Sequence, residues 1–359
     1  MIISRLKLSD FRNIEELSLD LSPGINVFYG DNAQGKTNIL ESIFVCATSR
    51  SHRGTRDREM IRFDRDEAHI QMTVEKRGVP VRIDMHLKKG RSKGVAVNAV
   101  PIRKVSELFG IVNVIFFSPE DLSIIKEAPA ERRNFMDMEL CQLDPVYTHD
   151  LVNYNKVVMQ RNRLLKDLEE RPELADTLPV WDEQMIRYGS EIILRREQFV
   201  QELNEIVHQV HDRLTGGREY MDVRYLPNTS AERFADALSS GRSRDLGAHV
   251  SLTGPHRDDM ECQIDGIDVR HFGSQGQQRT AALSLKLAEI ELVKQRTEDS
   301  PVLLLDDVLS ELDTNRQTHL LNSISGIQTV LTCTGLDEFV RQNLTIDRKF
   351  CVKAGIVSE

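Results

Sequence analysis

The sequence predicts an α/β fold with a P-loop core, a β-rich lobe and an inserted, short antiparallel helical arm. Three observations carry this. A short strand at 25–29 runs into a glycine loop and then a helix, residues 68–117 read as glycine-punctuated strands, and residues 145–215 read as long helices almost without glycine. At 359 residues the chain is long enough for roughly two domains, or for one domain interrupted by a large insertion.

Taken in order, residues 3–8 and 17–21 alternate as strands, and residues 25–29 form a third strand. Ile39, Leu40, Ile43 and Phe44 recur with a helical period directly after the loop. Strand character returns at 70–74, 79–87, 95–97 and 112–117. In the arm, Leu151, Tyr154, Val158, Leu165 and Leu168 make one heptad-like stripe, interrupted by Arg161. Trp181, Met185, Tyr188, Ile192, Phe199 and Ile206 make a second, interrupted by Arg195 and Glu202, and a segment bounded by Pro172 and Pro179 turns between them. A buried helical subdomain is the alternative to an arm. Residues 254–267 read as strand and turn, 277–295 as helix, and 302–305 as an apolar strand of the kind buried on both faces of a parallel sheet. The expected division is residues 1–137 as an N-terminal lobe, 138–217 as the arm and 218–359 as a C-terminal lobe.

Lys and Arg number 47 against 56 Asp and Glu, a net charge of −9 that excludes a globally basic nucleic-acid binder but not a locally basic one. Five scattered cysteines, none in Cys-x-x-Cys spacing, suggest neither a disulfide framework nor a zinc knuckle. The chain shows no signal peptide and no apolar stretch of the roughly 20 residues a membrane span needs. It reads as soluble, complete and untargeted, with no membrane partner, in a reducing cytoplasm.

Gly30-Asp31-Asn32-Ala33-Gln34-Gly35-Lys36-Thr37 is a full G-x-x-x-x-G-K-T loop between a strand and a helix. Glycines at both ends let backbone N–H groups turn onto a phosphate, Lys36 neutralises the β- and γ-phosphates, and the Thr37 hydroxyl ligates Mg²⁺, so ATP and Mg²⁺ are the expected cofactors. The strand at 302–305 ends in Asp306, placed to hold Mg²⁺ with Thr37, and Asp307, placed to orient or deprotonate a water that attacks the γ-phosphate. The two halves stand 306 − 36 = 270 residues apart. Ser274 and Gln277 open a helix with capping-box spacing, which accounts for both residues but not for Gly276 between them.

Together, the loop, Ser274 to Gln277, the Asp306-Asp307 pair and Ser310 to Asp313 resemble the Walker A, signature, Walker B and D-loop of ABC-type ATPase heads of the SMC group. Asp10 to Asn13, Ser118 to Leu122, Pro129 to Asp137 and Gly254 to Asp259 narrow the resemblance to the RecF family of bacterial recombination and gap-repair proteins, over the whole chain. The resemblance implies an ABC/SMC-type P-loop ATPase head. It also implies a weak DNA-stimulated ATPase and an ATP-dependent homodimer on double-stranded and gapped DNA, released by slow hydrolysis. In such a dimer Ser274, Gly276 and Gln277 act on the partner's nucleotide, and Arg12 contacts phosphate. RecR and RecO are the implied partners, and loading of RecA onto strands coated by single-strand binding protein the implied outcome, in the cytoplasm at the nucleoid. Three positions depart from the wider pattern: Asp307 stands where transporters have Glu, Thr332-Cys333-Thr334 holds the histidine switch position, and no glutamine lies at 118–120.

Residues 76–104 carry nine cations against Asp84 alone, a local +8, and Arg50, His52, Arg53, Arg56 and Arg58 make a second cluster. Lys88, Lys89, Arg91, Lys93, Arg53 and Arg56 are therefore candidates for tracking duplex phosphates, with solvated hairpins as the alternative. His208 and His211 share a helix face and read as a surface pair, with metal binding as the alternative. A transporter's energy subunit shares the ATPase motifs but has no use for the long insertion. A purely structural SMC-like head fits poorly with so short an arm.

Overall fold

The computed structural model describes residues 1–335 and 345–359. In chain order the elements are β1 (Ile2–Phe11), β2 (Ile14–Asp20), β3 (Ile25–Tyr29), α1 (Lys36–Thr48), β4 (Glu67–Lys76), β5 (Val79–Lys88), β6 (Gly94–Val97), β7 (Val100–Pro101) and β8 (Val114–Phe117). There follow α2 (Leu122–Lys126), α3 (Pro129–Leu143), α4 (Pro145–Asp167), α5 (Leu178–Thr215), β9 (Met221–Leu226), α6 (Phe234–Ala248), β10 (Asp259–Ile264), β11 (Ile267–Asp268) and α7 (Val269–Phe272). The chain closes with α8 (Gln275–Thr297), β12 (Val302–Asp306), α9 (Thr314–Ser323), β13 (Thr329–Cys333), β14 (Arg348–Lys353) and β15 (Ile356–Ser358).

Two compact units result, residues 1–121 with 286–359, and residues 122–285. The boundaries fall at 121/122 and 285/286, not at 137/138 and 217/218. The reason is packing: α3, α6 and β9 lie against the long helices, so the segments on either side of the arm belong to one body with it.

In the first unit, an antiparallel sheet in the order β2-β1-β4-β5-β6-β7 and a second sheet in the order β15-β14-β3-β13-β12-β8 enclose α1. Within the second sheet β14, β3, β13, β12 and β8 run parallel; β8, β12 and β13 are buried along almost their whole length, and β8 and β12 are apolar but for Asp306, as suits strands covered on both faces. The four apolar positions read from the sequence understate the burial of α1: eleven of its residues are buried, Glu41 and Ser42 included, because sheets cover it on both sides. Gln328, itself buried, accepts from Ile3 N and donates to the carbonyls of Ile3 and Ser22, which joins the start of β1 to the start of β13 through satisfied amide groups.

In the second unit α4 and α5 pack together, and β9, β10 and β11 form a small antiparallel sheet. The arginine that interrupts the first stripe is not solvated. Arg161 is fully buried and bonds to Asp182 and Asp245, both at 2.7 Å. Arg196, likewise buried, bonds to Asp137, Asp258, Tyr147 and the Pro255 carbonyl. Val157 takes the buried position expected for Val158, which is only half-buried. Gly189 lets the aromatic rings of Phe234 and Tyr154 meet the backbone of α5, since a Cβ there would lie 2.4 Å from the Phe234 ring.

Candidate nucleotide site and basic surface

β3 is central in its sheet, and the loop at its carboxyl end leads into the N-terminus of α1, where open α/β sheets bind ligands. Gly30 (φ 150°) and Gly35 (φ 111°) adopt backbone conformations that suit glycine, and a Cβ on Gly30 would lie 2.4 Å from the Val352 carbonyl oxygen. The Lys36 ammonium folds back over the loop and donates to the carbonyls of Gly30 (2.6 Å) and Asp31 (2.8 Å). Residues to which the sequence reading gave no role at the nucleotide brace the loop from outside. Asn13 donates to the Gln34 carbonyl, Gly355 N donates to the same oxygen, and Ala354 N donates to the Gln34 side chain.

β12 lies one strand away from β3, across β13. The Thr37 hydroxyl donates to Asp306 Oδ1 at 2.9 Å, and the Thr332 hydroxyl donates to the same oxygen at 2.7 Å. Thr332 also accepts from Asp307 N (3.0 Å), so one β13 side chain sets the position of both acids. Asp307 sits at φ 53°, a left-handed conformation that Asp tolerates better than most residues. Ser310, in the segment expected to be a D-loop, donates to the Asp307 carbonyl, and Asp313 caps α9 and pairs with Arg316.

Arg12 and Asn13 are the two turn residues between β1 and β2, and Arg12 holds φ 53° where such turns usually place glycine. Its guanidinium makes a two-pronged pair with Glu41 (2.8 and 2.7 Å) and bonds to Thr55 and the Glu59 carbonyl, so in this state it faces a carboxylate. Burial pushes the Glu41 carboxyl up, but Arg12, Ser51 and Arg53 together hold it below the ordinary carboxylate range. A lone charge inside the apolar run 39–44 was the signal in sequence. His52 stacks on Phe116 at 4.0 Å with its Nδ1 buried and unpartnered, and burial drops its pKa to about 4.

The signature lies in the other unit, at the start of α8. Gln277 N donates to Ser274 Oγ (3.2 Å) and Ser274 N donates to Gln277 Oε1 (2.9 Å), a formed capping box. The Gln277 amide also reaches Glu219 at 3.1 Å, a partner invisible in sequence. Ser274, Gln275 and Gly276 are exposed. The surface-pair reading of His211 is corrected: it is fully buried, within 2.9 Å of the Ser284 hydroxyl and 3.4 Å from Glu219, while the half-buried His208 ring lies tilted against Tyr220.

Most of the basic strip is already paired. Lys88 bonds to Glu67, Lys89 to Asp66, and Lys93 to Asp57 and the Ser49 carbonyl. Arg53 reaches Asn38 and Glu41. Arg91 and Arg56 are exposed and have no side-chain partner among the described residues.

No helix among the described residues is long and apolar enough to cross a membrane. The family described as RecF/RecN/SMC N terminal domain matches residues 2–343. A DNA replication and repair protein RecF from Agathobacter rectalis is 57% identical over 357 residues, 99% of each chain, and one from Lachnoclostridium phytofermentans is 56% identical over the whole of both chains. A solved structure of the recombination mediator protein RecF with ATP, in the RecFOR pathway, superposes with a TM-score of 0.92 at 34% identity, covering 99% of this chain and 96% of the other. The Smc head domain of Pyrococcus furiosus, at 15% identity and a TM-score of 0.56, shares the fold.

Proposed function

The chain belongs to the RecF family of DNA replication and repair proteins, and from that premise we propose that it is an ATP-dependent DNA-binding protein that dimerises on ATP at gapped or single/double-strand junction DNA. The observation that carries this is the meeting of Thr37 and Asp306 at 2.9 Å from opposite ends of the chain, beside a P-loop whose lysine is poised over it.

On binding, the Lys36 ammonium exchanges the carbonyls of Gly30 and Asp31 for phosphate oxygens. Thr37 and Asp306 offer a hydroxyl and a carboxylate on one spot, an all-oxygen set that fits Mg²⁺. When bound, that ion neutralises charge on the phosphates. Asp307 receives the proton of the water that attacks the γ-phosphorus, as the bond from the new oxygen forms and the bond to the β,γ-bridging oxygen breaks. Ser274, Gly276 and Gln277 complete the site of a second copy, and the exposure of Ser274 and Gly276 in the single chain supports this reading. Slow, DNA-stimulated hydrolysis then releases the dimer. RecR and RecO would act with it to load RecA in recombinational gap repair and replication-fork maintenance, in the cytoplasm at the nucleoid.

The test is Asp307→Asn. Removing the base while keeping the hydrogen-bonded frame leaves ATP binding and dimer formation intact and stalls hydrolysis, so light scattering in ATP should show a stable dimer that retains duplex DNA. Hydrolysis at the wild-type rate by this variant would remove Asp307 from the role of base.

A further inference from the structure

Apart from the nucleotide site, the outer face of the β4–β5 hairpin gathers the one three-residue set of metal-ligating side chains found among the described residues. β4 and β5 run antiparallel with His69 directly opposite His86 and Glu67 opposite Lys88. Because strand side chains alternate, these four share one face, opposite the buried Ala68, Ile70, Met85 and Leu87. The two imidazoles stack with centroids 4.1 Å apart, and Glu67 Oε2 lies 2.6 Å from His86 Nε2. One ligand atom each from Glu67, His69 and His86 lies within 4.8 Å of the other two.

We propose that Glu67, His69 and His86 form a binding site for one zinc-class divalent ion, with the fourth position left to water. Two imidazoles and a carboxylate are the borderline-soft set that suits zinc and not magnesium. The backbone needs no movement, since β4 is paired along its length between β1 and β5. Ligands at about 2.0–2.2 Å from a tetrahedral ion stand roughly 3.3–3.5 Å from one another. Glu67 therefore withdraws from His86 by less than about 1 Å, and the rings turn out of their parallel stack. All three side chains are at least partly exposed, so those torsions are free to change. The second carboxylate oxygen of Glu67 stays on Lys88, an outer partner of the kind that orients a ligating carboxylate.

The experiment is a titration of the metal-stripped, nucleotide-free full chain with Zn²⁺ against a competing chromophoric chelator, repeated with Co²⁺ to read the visible bands of a four-coordinate site. The wild type should take up one ion that the His69→Ala/His86→Ala variant does not, and Glu67→Gln should bind it at least about tenfold more weakly. Melting curves of the variants in a chelator, unchanged from wild type, establish that the fold is kept. Equal uptake and affinity in the wild type and the double histidine variant would overturn the proposal. Wild-type affinity in Glu67→Gln would overturn the three-ligand assignment.

Discussion

Lys36 donates to two loop carbonyls, those of half-buried Gly30 and exposed Asp31, which water can reach in its absence, so its loss costs the fold little and the ligand much. Two charge-assisted hydrogen bonds to phosphate contribute about 3 kcal/mol at the low end, a factor of roughly a hundred in affinity. Lys36→Ala should therefore weaken ATP binding by about that factor with an unchanged melting temperature of the free protein, as calorimetry of both would show. Two half-buried histidines tell on the fold instead. His52 and His256 are each pushed down to about 4, chiefly by burial; His256 Nε2 donates to the Ser251 carbonyl, which leaves Nδ1 to accept from Tyr154. The unfolded chain takes up these protons near pH 6.5 and the folded chain near 4, so the stability they contribute is complete above 6.5 and is lost as pH falls toward 4. Asp121 acts in the opposite direction, since burial raises it to about 6 and its protonation favours the folded state between about 6 and 3.8. Urea midpoints measured from pH 7 to pH 4 should fall for the wild type and fall less for His52→Phe, which keeps the stack on Phe116. An identical slope in the variant would take His52 out of this balance.

Among the elements, the parallel strands and the P-loop were legible because each is a local pattern, an apolar run or a fixed spacing. The charge of the β4–β5 hairpin was not. A window over 76–104 counts nine cations and one acid, but β4 and the turn before it supply Glu67 and Asp66 across the strands, and Asp57 arrives from a separate turn. Arg161 misled in the same way, since an arginine that interrupts a stripe looks solvated until Asp182 and Asp245 come to meet it from other helices. Removing one partner of such a buried pair costs about 3–5 kcal/mol, which ties the helices together more tightly than their apolar stripe suggests. For DNA the pairing has a measurable consequence. Each phosphate contact contributes roughly 0.9 to the slope of log affinity against log salt. Arg91→Ala should flatten that slope by about this amount, and adding Lys88→Ala and Lys89→Ala should flatten it by less than the same amount again for each residue. An unchanged slope in the triple variant would return the strip to a solvated hairpin.

At the scale of the whole molecule, the Walker residues belong to one compact unit and the signature to the other, a division that no local pattern in the sequence marks. Ser274 is both a formed helix cap and an exposed residue, so its geometry alone is compatible with a structural role and with service to a second copy. Mixing separates the two. Ser274→Arg keeps its own Lys36 and should bind ATP, yet fail to dimerise or hydrolyse, because the arginine fills the space for the partner's γ-phosphate. Lys36→Ala should fail for the opposite reason, with an intact signature and no nucleotide to offer. In a heterodimer the loop of the first faces the signature of the second, and one of the two composite sites is whole. Two inactive proteins mixed in equal amounts should thus recover ATP-dependent dimer by light scattering, at up to about half the sites of the wild type. Full hydrolysis by Ser274→Arg alone, at a rate per chain that does not change with protein concentration, would reduce Ser274 to its cap, because a composite site must dilute away with its partner and a self-contained one does not.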